Sequence, residues 1–216
     1  MAIARRQIVP AAAKTPGAAK DMLGHSHLSP SEAEAAFHEF EFALHHISEA
    51  FARWSSAVHE SASGELLPQA DVSVLQLIRM NERPKSAAEI GRFLNRDDSS
   101  NILYALRKLE KADLIEKSDG PLRQTTYQVT ERGREVTDRY AELRRQVLLD
   151  SVGKLAGSDA ELGPVTQMMW RISGLYEQAA RTMSVMRVLQ GEPQPQPSEA
   201  KPKRRGRTPK AKANDG

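Results

Sequence analysis

Between Asp97 and Ala112 the chain places hydrogen-bonding and cationic side chains at helical spacing. Ser99, Ser100, Asn101 and Tyr104 come first, and Arg107, Lys108 and Lys111 follow. On a helix, Ser100, Tyr104, Arg107, Lys108 and Lys111 share a narrow polar face opposite an apolar stripe of Ile102, Leu106 and Leu109, at i, i+4 and i+7. Hydroxyls and an amide near the start of such a helix can exchange hydrogen bonds with base edges, and Asn101 suits adenine N6 and N7. Cations farther along can neutralise phosphates, the role expected of Arg107 and Lys108. This is the chemistry of a helix laid in a DNA groove. The alternative is that Ser99, Ser100 and Asn101 only cap or solvate the helix. Asp97 or Asp98 is expected as the N-cap, its carboxylate turned toward its own helix amides.

The neighbouring segments are those such a helix needs. Ser86-Ala87-Ala88-Glu89 is a capping box that starts a short helix through Ile90, Phe93 and Leu94. Ser86 and the amides after it can hold a phosphate. The turn Asn95-Arg96-Asp97 then leads into the polar-faced helix, a helix-turn-helix pattern. After Asp113 the period becomes alternating, so residues 114–117 and 125–129 read as two short strands. The turn between them places Arg123 at a hairpin tip, where it can enter a narrow minor groove. A hairpin at that place is the wing of a winged helix-turn-helix. Thr130 is the expected N-cap of the next helix, which carries Val136, Tyr140, Leu143 and Val147 on one face. Upstream, a helix from Asp71 to Met80 turns Val72, Leu75 and Ile78 inward and is stopped by Asn81 and Pro84.

Two long helices flank this module. The first is expected to open on Ser29, Pro30 and Glu32, and to end by Gly64. Its residues Phe37, Phe40, Leu44, Ile47, Phe51, Trp54 and Val58 recur at alternating spacings of three and four, a heptad seam. The last helix, with Ser158 as the expected cap, carries a second seam of Leu162, Val165, Met169, Ile172, Tyr176, Ala179, Met183 and Met186. Neither segment can bury its own seam, so the two are expected to pack together and with a second copy of the chain. The fold class is thus mainly α with a small β-hairpin wing: a winged helix-turn-helix inserted in a helical dimerisation domain. The expected divisions are a disordered basic tail at 1–27, a dimerisation helix at 28–64, the DNA-binding domain at 65–130, dimerisation helices at 131–190, and a Pro-rich linker and basic tail at 191–216.

The chain has 216 residues and a formal net charge of +3. Residues 1–24 carry Arg5, Arg6, Lys14 and Lys20 against Asp21, and residues 191–216 carry seven Lys and Arg against three acids, so the middle is acidic. Basic ends on an acidic body suit a polyanion partner, with solubilising tails as the alternative. Lys203-Arg204-Arg205-Gly206-Arg207-Thr208-Pro209 resembles an AT-hook, in which Arg205 and Arg207 would lie in an A·T minor groove; a generic basic tail is the other reading. There is no cysteine, no long apolar run and no signal-peptide pattern, which suits a cytoplasmic, nucleoid-associated protein. His25 and His27 lack further ligands at metal spacing, and no catalytic motif is visible, so no enzyme activity, metal or cofactor is expected. His45 with Arg53 and Trp54 is a candidate anionic-effector contact, against the plainer reading of polar positions beside the seam.

The ordered set resembles the MarR family of winged-helix transcription regulators from about Ser29 to Gln190. Residues 86–94 resemble the family's second DNA-domain helix, residues 98–115 its recognition helix and exit, and Val129-Thr130-Glu131-Arg132-Gly133 the start of its post-wing helix. The wing is shorter than the family's and lacks its Asp-x-Arg spacing, and the C-terminal helix is longer. The resemblance implies a homodimeric repressor with two recognition helices in successive major grooves, released by a small aromatic or phenolic acid. Competing readings are an architectural DNA binder dominated by its tails, and a protein-interaction module that retains only the fold.

Overall fold

The computed structural model describes residues 27–28, 30–120, 124–149, 151–153 and 159–190, and divides at Val152–Gly153 into two compact units. In the first unit, helix α1 (Glu32–Ser63) opens on Ser31, whose hydroxyl accepts from the Glu34 amide at 3.3 Å. The expected cap, Ser29, lies outside the described residues. The helix starts later than expected because Ser31-Glu32-Ala33-Glu34 is itself a capping box. As expected, α1 stops at Gly64, which takes φ +76° and donates its N–H to the Glu60 carbonyl at 2.8 Å.

Helix α2 (Gln69–Arg79) buries Val72, Val74, Leu75, Leu77 and Ile78, so it is apolar on several sides and forms the centre of the core. A 3₁₀ turn (Met80–Glu82) ends it, with Asn81 in the left-handed region at φ +60°, where a short polar side chain is tolerated. Strand β1 (Lys85–Ser86) follows, then α3 (Ala87–Phe93) and α4 (Ser99–Lys111). The hairpin is β2 (Ile115–Asp119) and β3 (Thr125–Val129), and α5 (Glu131–Arg144) completes the domain before a π-type turn (Arg145–Leu149). The sheet order is β1-β3-β2, all antiparallel, with Lys85 opposite Tyr127 and Ile115 opposite Val129. Both hairpin strands were expected; β1 was not.

Lys85 is almost fully buried, and its ammonium donates to the carbonyls of Ile78 at 3.1 Å, Arg83 at 3.0 Å and Met80. Two of these carbonyls belong to the loose end of α2, where a cation also meets the negative pole of the helix. Burial pulls the Lys85 ammonium below the ordinary lysine range, and the neighbouring Arg83 charge adds to this.

The core gathers Leu67, the α2 residues, Ile90, Ile102, Ala105, Leu106, Leu109, Leu114, Ile115, Tyr127, Val129, Val136 and Tyr140. Only the C-terminal part of α1 joins it, through Val58 and the partly buried Trp54. The Trp54 and Tyr140 rings meet edge to face at 6.1 Å, and the Tyr140 hydroxyl reaches Ser55 Oγ at 3.5 Å. Arg132 of α5 pairs with Glu65 at 2.8 Å. Farther up α1, Phe37, Phe40, Ile47 and Phe51 are exposed. Phe93 is exposed because α3 ends at it, and Leu94 packs on the core instead. Val147 is exposed because the π-type turn shifts residues beyond Arg144 off the register of α5.

The second unit contains helix α6 (Asp159–Leu189). Its seam residues Leu162, Val165, Met169, Met183 and Met186 are exposed, as are Leu175 and Trp170. The expected cap, Ser158, lies outside the described residues. Among the described residues, no helix is long and apolar enough to cross a membrane, and no cluster of His, Asp or Glu could hold a metal ion.

Candidate nucleic-acid interface

Helix α4 is held from behind by the expected stripe. Ile102, Leu106 and Leu109, together with Ala105, are buried against α2 and α3. Its cap is Asp98, whose Oδ1 accepts from the amides of Ser100 at 2.9 Å and Asn101 at 3.2 Å. The second carboxylate oxygen accepts from Asn101 Nδ2 at 2.7 Å. Asp98 is therefore spent on its own helix, as expected, and the Asn101 amide is engaged with it. The turn before α4 passes through Asn95 at φ +52°. Gly91 fits against it closely, since an added Cβ there would lie 3.1 Å from the Arg96 carbonyl.

Seen from the stripe, the outward surface of α4 comprises Ser99, Ser100, Leu103, Tyr104, Arg107 and Lys111, all exposed. Tyr104 is 66% exposed. Among the described residues, Arg107 and Lys111 lie within ion-pair distance of no carboxylate. Lys108, expected at a phosphate, is held within the chain. It is half-buried, and its ammonium donates to Asp71 Oδ2 of α2 at 2.9 Å. On the helical wheel it lies beyond Tyr104, close enough to α2 for its long stem to reach the one acid buried there. Leu103 carries a signal the sequence offered but the polar-face reading passed over, since it sits on the shoulder of the same surface.

Ser86 stands where expected, as the N-cap of α3, its Oγ accepting from the Glu89 amide at 3.2 Å. The reciprocal half of the box is not made: Arg83 takes both Glu89 oxygens instead and holds its carboxyl below the usual range. A cleft between α3 and α4 is lined by Ala87, Ala88, Ile102 and Leu103 together with Arg92, Arg96, Asp97 and Ser99. Neither arginine was singled out from the sequence. Arg96 also donates to the Ala70 carbonyl at 3.4 Å.

The hairpin is anchored at its base. Thr130 caps α5, accepting from the Gly133 amide at 3.0 Å, and its hydroxyl donates to the Asp113 carbonyl at 2.6 Å. The Thr130 amide donates to the Leu114 carbonyl at 3.2 Å. Gly133 is required by contact: an added Cβ would stand 2.0 Å from the Leu114 oxygen. On β2, Lys117 pairs with Glu110 of α4 at 2.9 Å, which raises its ammonium above the ordinary range. The tip residue Arg123 and the tail residues Arg205 and Arg207 lie outside the described residues.

The suggested effector contacts are not brought together within one chain. His45 and Trp54 are nine residues apart on α1, on opposite faces and about 13 Å apart along the axis. Arg53 is exposed and lies 3.8 Å from Glu49, while Trp54 packs on Tyr140.

Residues 67–133 match the winged helix DNA-binding domain family. No curated protein matches the chain. Among solved structures, a MarR family transcription regulator is similar at 15% identity, with 68% of this chain and 93% of that one covered and a TM-score of 0.54. A mutant MarR from E. coli complexed with operator DNA gives 16% identity, 66% and 99% coverage and 0.52. The transcriptional repressor CouR bound to p-coumaroyl-CoA gives 22% identity, 62% and 90% coverage and 0.51. The chain has the winged-helix fold of MarR-type regulators.

Proposed function

We propose that this winged-helix chain of MarR type is a sequence-specific DNA-binding transcription regulator, a repressor acting as a homodimer on a palindromic operator. The observation that carries the reading is the outward surface of α4. Ser99, Ser100, Tyr104, Arg107 and Lys111 stand exposed on a helix whose opposite stripe is locked into the core. The N-terminal part of that surface would read bases, aided by Asn101 once it leaves Asp98. Arg107 and Lys111 would neutralise phosphates, and the α3 start at Ser86 would hold another phosphate. Arg123 and the basic tail, with Arg205 and Arg207, would add minor-groove and salt-sensitive contacts.

Homodimerisation is supported by the exposed aromatic positions Phe37, Phe40 and Phe51 of α1 and by the exposed apolar seam of α6. A single copy leaves these faces in water, which a monomeric protein seldom tolerates. A small aromatic acid is the effector class we assign, by analogy with the CoA thioester bound by CouR. Because His45, Arg53 and Trp54 do not converge in one chain, an effector site built from all three would need a second copy.

Footprinting the full-length chain on the promoter of its own gene tests the reading. A discrete palindromic footprint, relieved by an aromatic acid, is the expected result. Uniform coating would assign the chain to architectural binding through its tails, and no protection would overturn DNA binding.

A further inference from the structure

Leu103 is an anomaly on a surface built for hydrogen bonds and charge. It is 38% exposed on α4, one turn after Ser99 and one before Arg107. Its side chain forms the outer wall of the cleft between α3 and α4. Ala87, Ala88 and Ile102 add to its apolar lining, while Arg92, Arg96 and Asp97 add charged lining. An apolar notch with two cations and one carboxylate in its lining suits a partner that is anionic overall and presents a small apolar group. On a DNA duplex, the thymine C5-methyl is the only apolar group exposed on a base edge in the major groove. A leucine there cannot donate or accept, so it cannot read any other base by hydrogen bonding.

We infer that Leu103 is a specificity-determining residue that reads a thymine methyl, seating it in the α3–α4 notch. The inference rests on the proposed function and sharpens it to one atom of the operator. Arg92 and Arg96 neutralise phosphates flanking that thymine, which fixes the register in which the methyl arrives. Ser99 and Ser100 read the neighbouring base edges. Burying one methyl corresponds to about a three- to fivefold gain in affinity.

The test separates the inference from the reading beneath it. The full-length chain selects its preferred site from random-sequence duplex DNA. Each thymine of that site is then replaced by deoxyuridine, which removes only the methyl. Wild type and Leu103→Ala are titrated against the same panel. Alanine is a strong helix former and the position is exposed, so the variant keeps its fold; unchanged thermal unfolding verifies this.

The expected result is that at least one replacement weakens wild type about three- to fivefold and leaves Leu103→Ala unaffected. Arg107→Gln should weaken binding while retaining the methyl effect. A methyl effect of equal size in Leu103→Ala, or none in wild type, overturns the role of Leu103 while leaving DNA binding intact. Recovery of no preferred sequence overturns the proposed function and this inference with it.

Discussion

Lys108 of α4 and Asp71 of α2 meet at 2.9 Å, and this pair ties the polar face of α4 to the centre of the core. Asp71 is nearly buried, and Lys108 is the cation paired with it there. Lys108→Gln should therefore destabilise the fold by about 1–2 kcal/mol, between the values for exposed and buried pairs. It should leave the salt dependence of DNA binding near that of wild type. Arg107→Gln should do the reverse, with stability unchanged and the slope of log affinity against log salt reduced by about one. Urea denaturation and binding titrations at several salt concentrations check both. A reduced slope in Lys108→Gln would restore it as a phosphate contact.

Gly133 should tolerate no side chain. The 2.0 Å approach of a Cβ to the Leu114 oxygen leaves only displacement of α5 or of the hairpin base. Gly133→Ala should cost about 3 kcal/mol or more, in the range reserved for overpacking. A thermal unfolding midpoint equal to wild type would show that the junction can yield.

His59 gives the stability a pH dependence. It is fully buried, and among the described residues neither ring nitrogen has a hydrogen-bond partner. Burial lowers its pKa below 6.5, although the Glu65 charge pulls it upward. Below 6.5 the unfolded chain takes up the proton before the folded one does, so stability is full above that value and is lost as pH falls toward the folded pKa. Wild type should therefore lose stability relative to His59→Phe between pH 7.5 and 5.5. Parallel urea-denaturation profiles across that range would remove the role.

The exposed aromatic face of α1 should govern assembly. Phe37→Glu combined with Phe51→Glu places charge where both rings stand half in water. The winged domain packs on the other end of α1, through Trp54 and Val58, and should remain folded. Sedimentation should report a homodimer for wild type and a monomer for the double variant. A monomeric wild type would place the seam in some other contact.

What the sequence made legible was local. The caps at Ser86, Asp98 and Thr130, the stop at Gly64 and the stripe from Ile102 to Leu109 each follow from residues within one or two turns. The features missed depend on distant partners. Strand β1 is two residues long and has no period to detect; it exists because Tyr127 and Thr126 lie opposite it. The burial of Lys85 follows from carbonyls that only a folded α2 end leaves unpaired. The Lys108–Asp71 pair was not legible because nothing near Lys108 in the chain announces Asp71, 37 residues away. In the site, residue types were legible and their prior engagements were not, as with the Asn101 amide on Asp98.

Thr130 and Gly133 together bind three segments at one point: the exit of α4, the end of β3 and the start of α5. Loosening that point would break the Thr130 hydrogen bonds to the Asp113 and Leu114 carbonyls. A substitution at this junction would therefore disturb the segment leaving α4, the hairpin base and α5 together, rather than any one of them alone.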